Sequence, residues 1–110
     1  MATTTYKVLA QSNPAATTAT DIYTVPALTQ AVVSTIVICN QAASDATFRI
    51  SVRVAGLAST AKQFISFDET VMLNDSTTKT IGLTLGAGDI ITVYCSSATC
   101  SFNVYGTEIA

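Results

Sequence analysis

From Thr47 to Val54 the large apolar side chains fall on every second residue: Phe48, Ile50, Val52 and Val54 alternate with Thr47, Arg49, Ser51 and Arg53. That period of two belongs to a strand with one face buried and one face wet, whereas an amphipathic helix needs apolar residues three and four apart. No window of the chain holds the helical spacing over three turns, and β-branched residues are dense throughout. A helix of any length is therefore excluded, and the core must form between sheets.

The same reading extends along the chain. Ile81, Leu83 and Leu85 alternate with Thr80, Gly82 and Thr84 and run into Gly86-Ala87-Gly88-Asp89, where glycines accept the positive φ of a tight turn. A hairpin into the strand Ile90–Ser96 is predicted. A short polar loop, Ser97-Ala98-Thr99, then leads to Cys100–Ile109, and these last two strands are expected to pair as neighbours. Gln30–Asn40 is apolar on both faces, with Val32, Ile36 and Ile38 on one and Val33, Val37 and Cys39 on the other. It is expected at the centre of a sheet or at a subunit contact. Weaker strands are predicted at Tyr6–Ala10, Ile22–Val25, Lys62–Phe67 and Thr70–Leu73, separated by the turn-formers Asn13-Pro14, Pro26, Ala55-Gly56 and Asn74-Asp75. Eight or nine short strands with regular turns predict an all-β fold, an antiparallel, jelly-roll-like β-sandwich.

A chain of 110 residues suits one domain with one core. Within it, residues 1–20 form an Ala/Thr-rich N-terminal arm with the first strand, and residues 21–110 form the sandwich. Ala2–Thr5 and Ala15–Thr20 offer few large side chains, so the arm is expected either to be partly ordered or to lie along a neighbouring subunit and add a strand to its sheet.

Charged residues make up only 11% of the chain, against ~25% in ordinary soluble domains, and hydrophobic residues 49%. A neutral surface rich in Ser, Thr, Ala and Asn is cheap to desolvate, which suits a subunit covered by neighbours. The net charge of −2 supplies no field for phosphates, so nucleic acid is not an expected partner. No apolar stretch is long enough for a membrane span, and no export leader is legible, so a soluble protein without a membrane partner is expected.

Catalytic chemistry is hard to place. The chain has no histidine, which removes the usual general base, the Ser-His and Cys-His pairs and the commonest zinc ligand. Asp68, Glu69 and Asp75 form the one acidic cluster, but adjacent residues of a strand or turn point apart, and no loop has calcium-binding spacing. Gly86-Ala87-Gly88 lacks the helix that a phosphate loop opens onto, and Asn74-Asp75-Ser76 reads as a turn before it reads as a glycosylation acceptor. No catalytic residue, metal or cofactor is expected.

Three cysteines are too few for a disulfide scaffold and one too many for simple pairing, so synthesis in a reducing compartment is expected. In the predicted last hairpin Cys95 opposes Cys100 within reach of a bridge, although two small buried thiols are the expected state in a cytoplasm. Cys39 is assigned to the core. The same register places Val93 opposite Phe102 and Ile91 opposite Val104 on one face. Tyr94, Thr92, Ser101, Asn103 and Tyr105 then share the other, a set that could stack on a sugar or line a subunit interface. Tyr94, Asn103 and Tyr105, with Arg49 and Arg53, are the candidate interface residues.

The segments Ile22-Tyr23-Thr24-Val25-Pro26, Ala31-Val32-Val33-Ser34-Thr35-Ile36-Val37-Ile38-Cys39-Asn40, Thr47-Phe48-Arg49-Ile50, Leu83-Thr84-Leu85-Gly86-Ala87-Gly88-Asp89-Ile90-Ile91 and Phe102-Asn103-Val104-Tyr105-Gly106 together resemble small virion structural proteins of tailed bacteriophages. The resemblance spans residues 6 to 109. It implies a non-enzymatic virion protein made in the host cytoplasm, similar to capsid decoration (cement) proteins or to tail, baseplate and fibre accessory domains. It also implies a homo-oligomer, a trimer among the candidate orders, with the major capsid protein or tail proteins as partners. These motifs are strand and turn patterns, so no ligand or catalytic residue carries over. A carbohydrate-binding module for host-surface glycans is the alternative of another class.

Overall fold

A computed structural model describes residues 2–110. Nine strands follow one another: β1 (Thr4–Ser12), β2 (Thr20–Thr24), β3 (Gln30–Asn40), β4 (Ala46–Arg53), β5 (Phe64–Val71), β6 (Ser76–Lys79), β7 (Leu83–Leu85), β8 (Ile90–Cys95) and β9 (Cys100–Ile109). The helical pieces among the described residues are two three-residue 3-10 turns, Val54–Gly56 and Ala61–Gln63. All strand pairs are antiparallel and build two sheets, a five-stranded one in the order β1-β9-β3-β6 with β7 also on β3, and a four-stranded one in the order β2-β8-β4-β5. This is a jelly-roll-like sandwich. Most successive strands alternate between the sheets, so each apolar face is buried against the layer opposite.

The alternation predicted for Thr47–Val54 holds in the first half of β4, where Phe48 and Ile50 are fully buried while Thr47 and Arg49 face outward, and fails beyond it: Ser51 is buried, and Val54, in the 3-10 turn that follows the strand, is exposed. β8 and β9 show the same period, with Ile91, Val93 and Cys95 inward from one sheet and Cys100, Phe102 and Val104 inward from the other. Phe48 and Phe102 meet edge-to-face across the sandwich with centroids 6.4 Å apart, and Val33, Ile36 and Ile38 of β3 complete the centre.

Several expectations need correction. The last two strands do not pair. β8 lies between β2 and β4 and β9 between β1 and β3, and the residues between them cross from one sheet to the other, with Ser96 donating to the Thr47 carbonyl and Thr99 accepting from the Gln41 amide. Val93 and Phe102 therefore belong to opposed faces, because alternation reveals which side of a strand is buried but not whether its apolar neighbour lies beside it or across from it. The Gly86–Asp89 turn likewise links sheets and closes no hairpin; β7 pairs β3, and Gly88, at φ 84, exchanges backbone hydrogen bonds with Val25 together with Asp89.

In β3 a bulge between Val33 and Thr35 shifts the phase, so Val33 joins Ile36 and Ile38 inside and Cys39 leaves the core for the outer face. Lys62–Phe67 and Thr70–Leu73 merge into the single strand β5, which is interrupted at Asp68 with φ 52. β6 has no counterpart among the predicted strands, because Ser-Thr-Thr-Lys carries no apolar residue to mark a buried face. Of the N-terminal arm, β1 pairs along β9 of its own chain, and Thr3 and Ala110 exchange both backbone hydrogen bonds, while residues 13–19 form the loop between β1 and β2.

Candidate interaction surfaces

The outer face of the four-stranded sheet carries Arg49, Arg53 and Tyr94. The Arg49 guanidinium grips Asp68 through Nε (2.7 Å) and Nη2 (3.2 Å) and is stacked between the rings of Phe67 and Tyr94, 4.2 and 4.3 Å from their centroids. Both partners feel the bond, which raises the Arg49 pKa and holds the Asp68 carboxyl below its ordinary value. Arg53 donates to Asp21 (2.7 Å), to Thr92 and to the Gly56 and Leu57 carbonyls, pinning the turn after β4. Phe64 meets Phe67 edge-on at 5.0 Å, and the two rings line an open cleft of about 590 Å³ with Ser59, Thr60 and Ala61.

Asn103 and Tyr105 stand on the other outer face. Asn103 accepts from Gln11 Nε2 at 2.8 Å, and Tyr105 lies opposite Val8 and Thr35. The structure thus brings Tyr94, Arg49 and Arg53 together but separates them from Asn103 and Tyr105 by the thickness of the sandwich. A single sugar platform made of Tyr94, Asn103 and Tyr105 does not exist.

The acidic cluster is also dispersed. Asp68 pairs with Arg49, Glu69 with Lys79 at 2.7 Å, and the Asp75 carboxylate caps the Ser76 amide. Among the described residues no group of three or more metal-ligating side chains comes together, and no helix is long and apolar enough to cross a membrane. Asn74 sits in the turn after β5 with φ 49. The Cys95 and Cys100 sulfurs touch inside the core at the sheet-to-sheet crossing, with Cα atoms 6.4 Å apart; the proximity arises from the corner and not from a cross-strand register.

Two features escaped the sequence. First, the few charges neutralise one another: Lys7–Glu108, Arg49–Asp68, Arg53–Asp21 and Lys79–Glu69 are ion pairs, so four of the five cations are spent within the chain. Glu108 also accepts from the Tyr23 hydroxyl at 2.5 Å. Burial first, and then this bond, pushes the Tyr23 pKa far above the tyrosine range, while the bonds from Tyr23 and Lys7 hold Glu108 below the carboxylate range. Second, large apolar side chains stand in solvent. Leu28 is 95% exposed at φ 57, Phe67 is 56% exposed, and Tyr6, Val8 and Met72 are exposed as well.

No known protein family matches the sequence, and no curated protein does. Among solved structures, the chain is similar to one in the structure of infectious bursal disease virus, Gx strain, with a TM-score of 0.56 and 7% sequence identity. The match covers 99% of this chain and 32% of that one, so the protein spans about a third of the length of the chain it resembles. At that identity the likeness is one of fold: an antiparallel two-sheet sandwich of the viral jelly-roll kind.

Proposed function

We propose that this protein is a non-enzymatic structural component of a virus particle, more narrowly a decoration (cement) protein on the capsid of a tailed bacteriophage, where it self-associates and braces contacts between shell subunits. The observation that carries the reading is the surface. Four of its five cations are consumed in internal ion pairs while Leu28, Phe67 and Met72 remain in water, a combination that favours covering by other polypeptides over free solvation. The viral jelly-roll likeness and the sequence resemblance to phage virion proteins point the same way. Bracing by many copies acts through modest repeated contacts, each raising the effective concentration of the next.

Particles assembled without this protein should lose resistance to heat, chelators and low salt, and adding the purified chain back should restore it. Equal resistance with and without the protein would overturn the bracing role. Recovery of the added protein in the tail fraction, at a handful of copies per particle, would move the same module to the tail, baseplate or fibre.

A further inference from the structure

Four charged side chains find no ion-pair partner among the described residues: Asp89 caps the Ala55 and Gly86 amides in the turn before β8, and the other three, Lys62, Asp45 and Asp75, lie toward the two ends of β5. Just before its start, in the 3-10 turn Ala61–Gln63, Lys62 follows Ala61, which lines the cleft together with Phe64 and Phe67. Beyond its end, Met72 and Leu73 are 57% and 47% exposed, and they lie between two carboxylates: Asp45 accepts from the Leu73 amide at 3.0 Å and Asp75 from the Ser76 amide at 2.8 Å. One end is thus an apolar hollow beside a cation, and the other an apolar knob beside anions.

β5 is one of the two edge strands of the four-stranded sheet. With eight residues it holds knob and hollow roughly 25 Å apart at ~3.3 Å per residue. Its middle falls at Phe67 and Asp68, where the register with β4 shifts and φ is 52. That break denies a partner a continuous backbone ladder, so any neighbour along this edge must be held by side chains. Turning a second copy about a two-fold axis through the break lays the two β5 edges antiparallel. The same surface is then used twice, as closed symmetric pairs require.

We propose that two copies of this chain dock antiparallel along β5, with Met72 and Leu73 of each seated in the Phe64–Phe67 cleft of the other and Lys62 facing the other copy's Asp75. Asp68 stands near the axis, but Arg49 neutralises it, so no like-charge repulsion opposes the approach. The inference rests on the self-association reading and adds the face and the symmetry.

Sedimentation equilibrium of the full chain tests it, with unfolding curves confirming that each variant folds. Lys62→Glu and Asp75→Lys, each counted twice in a symmetric pair, should each weaken the dimer about tenfold, and the double variant should return within about threefold of the original. Met72→Glu, which leaves the turn's hydrogen bonds in place, should weaken it at least as much. A wild-type assembly indifferent to all of these variants would overturn the β5 contact while leaving self-association standing. Single variants that weaken without mutual rescue would overturn the Lys62–Asp75 pairing. A wild-type chain that stays monomeric at the highest attainable concentration would overturn both readings.

Discussion

Gly106 stands where β9 is squeezed between β1 and β3. A Cβ built there meets the Val32 carbonyl oxygen at 2.1 Å, Val33 Cα at 3.0 Å and Leu9 Cδ1 at 3.1 Å. Against the ~3.3 Å of a close carbon–oxygen contact the shortfall is about 1 Å. The obstacle is backbone, so it cannot rotate away. Moving β9 from β3 by about 1 Å stretches ladder hydrogen bonds beyond useful range, and Leu9 blocks the movement toward β1. Two broken backbone hydrogen bonds at about 1 kcal/mol each and overpacking strain of similar size place the cost of Gly106→Ala at about 3 to 4 kcal/mol.

Gly82 supplies the control. It has positive φ (+59) but nothing within 4 Å of its Cβ position, so Gly82→Ala should cost only the left-handed backbone strain, about 1 kcal/mol. Urea unfolding followed by far-ultraviolet circular dichroism suits a chain without tryptophan; the midpoint should fall with little change in slope. If Gly106→Ala costs no more than Gly82→Ala, the close approach of β9 to the β3 backbone is wrong.

Three further outcomes follow. Tyr23→Phe should cost about 1 to 2 kcal/mol through the lost bond to a carboxylate. Its pH signature has two limbs: the wild type retains the Tyr23 contribution below about pH 10 and loses it as pH rises above that, and retains the Glu108 contribution above about pH 4.3 and loses it as pH falls below. Both limbs should flatten in the variant, and unchanged limbs would contradict the Tyr23–Glu108 pairing. If Cys95 and Cys100 are joined in the purified protein, its intact mass is two hydrogens below that of the reduced chain. A bridge closing so short a loop, five residues apart, contributes about 2 kcal/mol, or about 9 °C in Tm, which reductant should remove; equal masses and melting points would mean two thiols. Finally, Asn40→Ala should cost about 2 to 3 kcal/mol in urea unfolding, because the buried Asn40 amide bonds the Ser44 carbonyl and its Oδ1 accepts from Ala42 and Thr99; a cost below 1 kcal/mol would contradict its role at that corner.

The strands themselves were legible wherever apolar and polar residues alternate, as in β4, β8 and β9, because burial of one face writes a period of two into the chain. Which strand faces which was not. Cys95 and Cys100, or Val93 and Phe102, satisfy the same pattern whether they sit side by side or across the core. Bulges at Ser34 and Asp68 reset the phase without any marker in the surrounding residues, which moved Cys39 outward and left Phe67 in solvent. Polar β6 carries no periodic signal. Among the candidate interface residues, Arg49, Arg53 and Tyr94 share a face because β4 and β8 pair in register, whereas Asn103 and Tyr105 were joined to them only through a hairpin that does not form. The mutual neutralisation of charges depends on contacts between distant residues and could not be read along the chain.

On this account a neutral surface, and not a charged one, is what binds the particle. Mixing the purified protein with particles that lack it and sedimenting the mixture across a salt series tests this directly. Saturable binding that persists at about 1 M salt, where the screening length is about 3 Å, is the predicted result. Binding that vanishes on raising the salt to physiological strength, or no binding to any part of the particle, would contradict it.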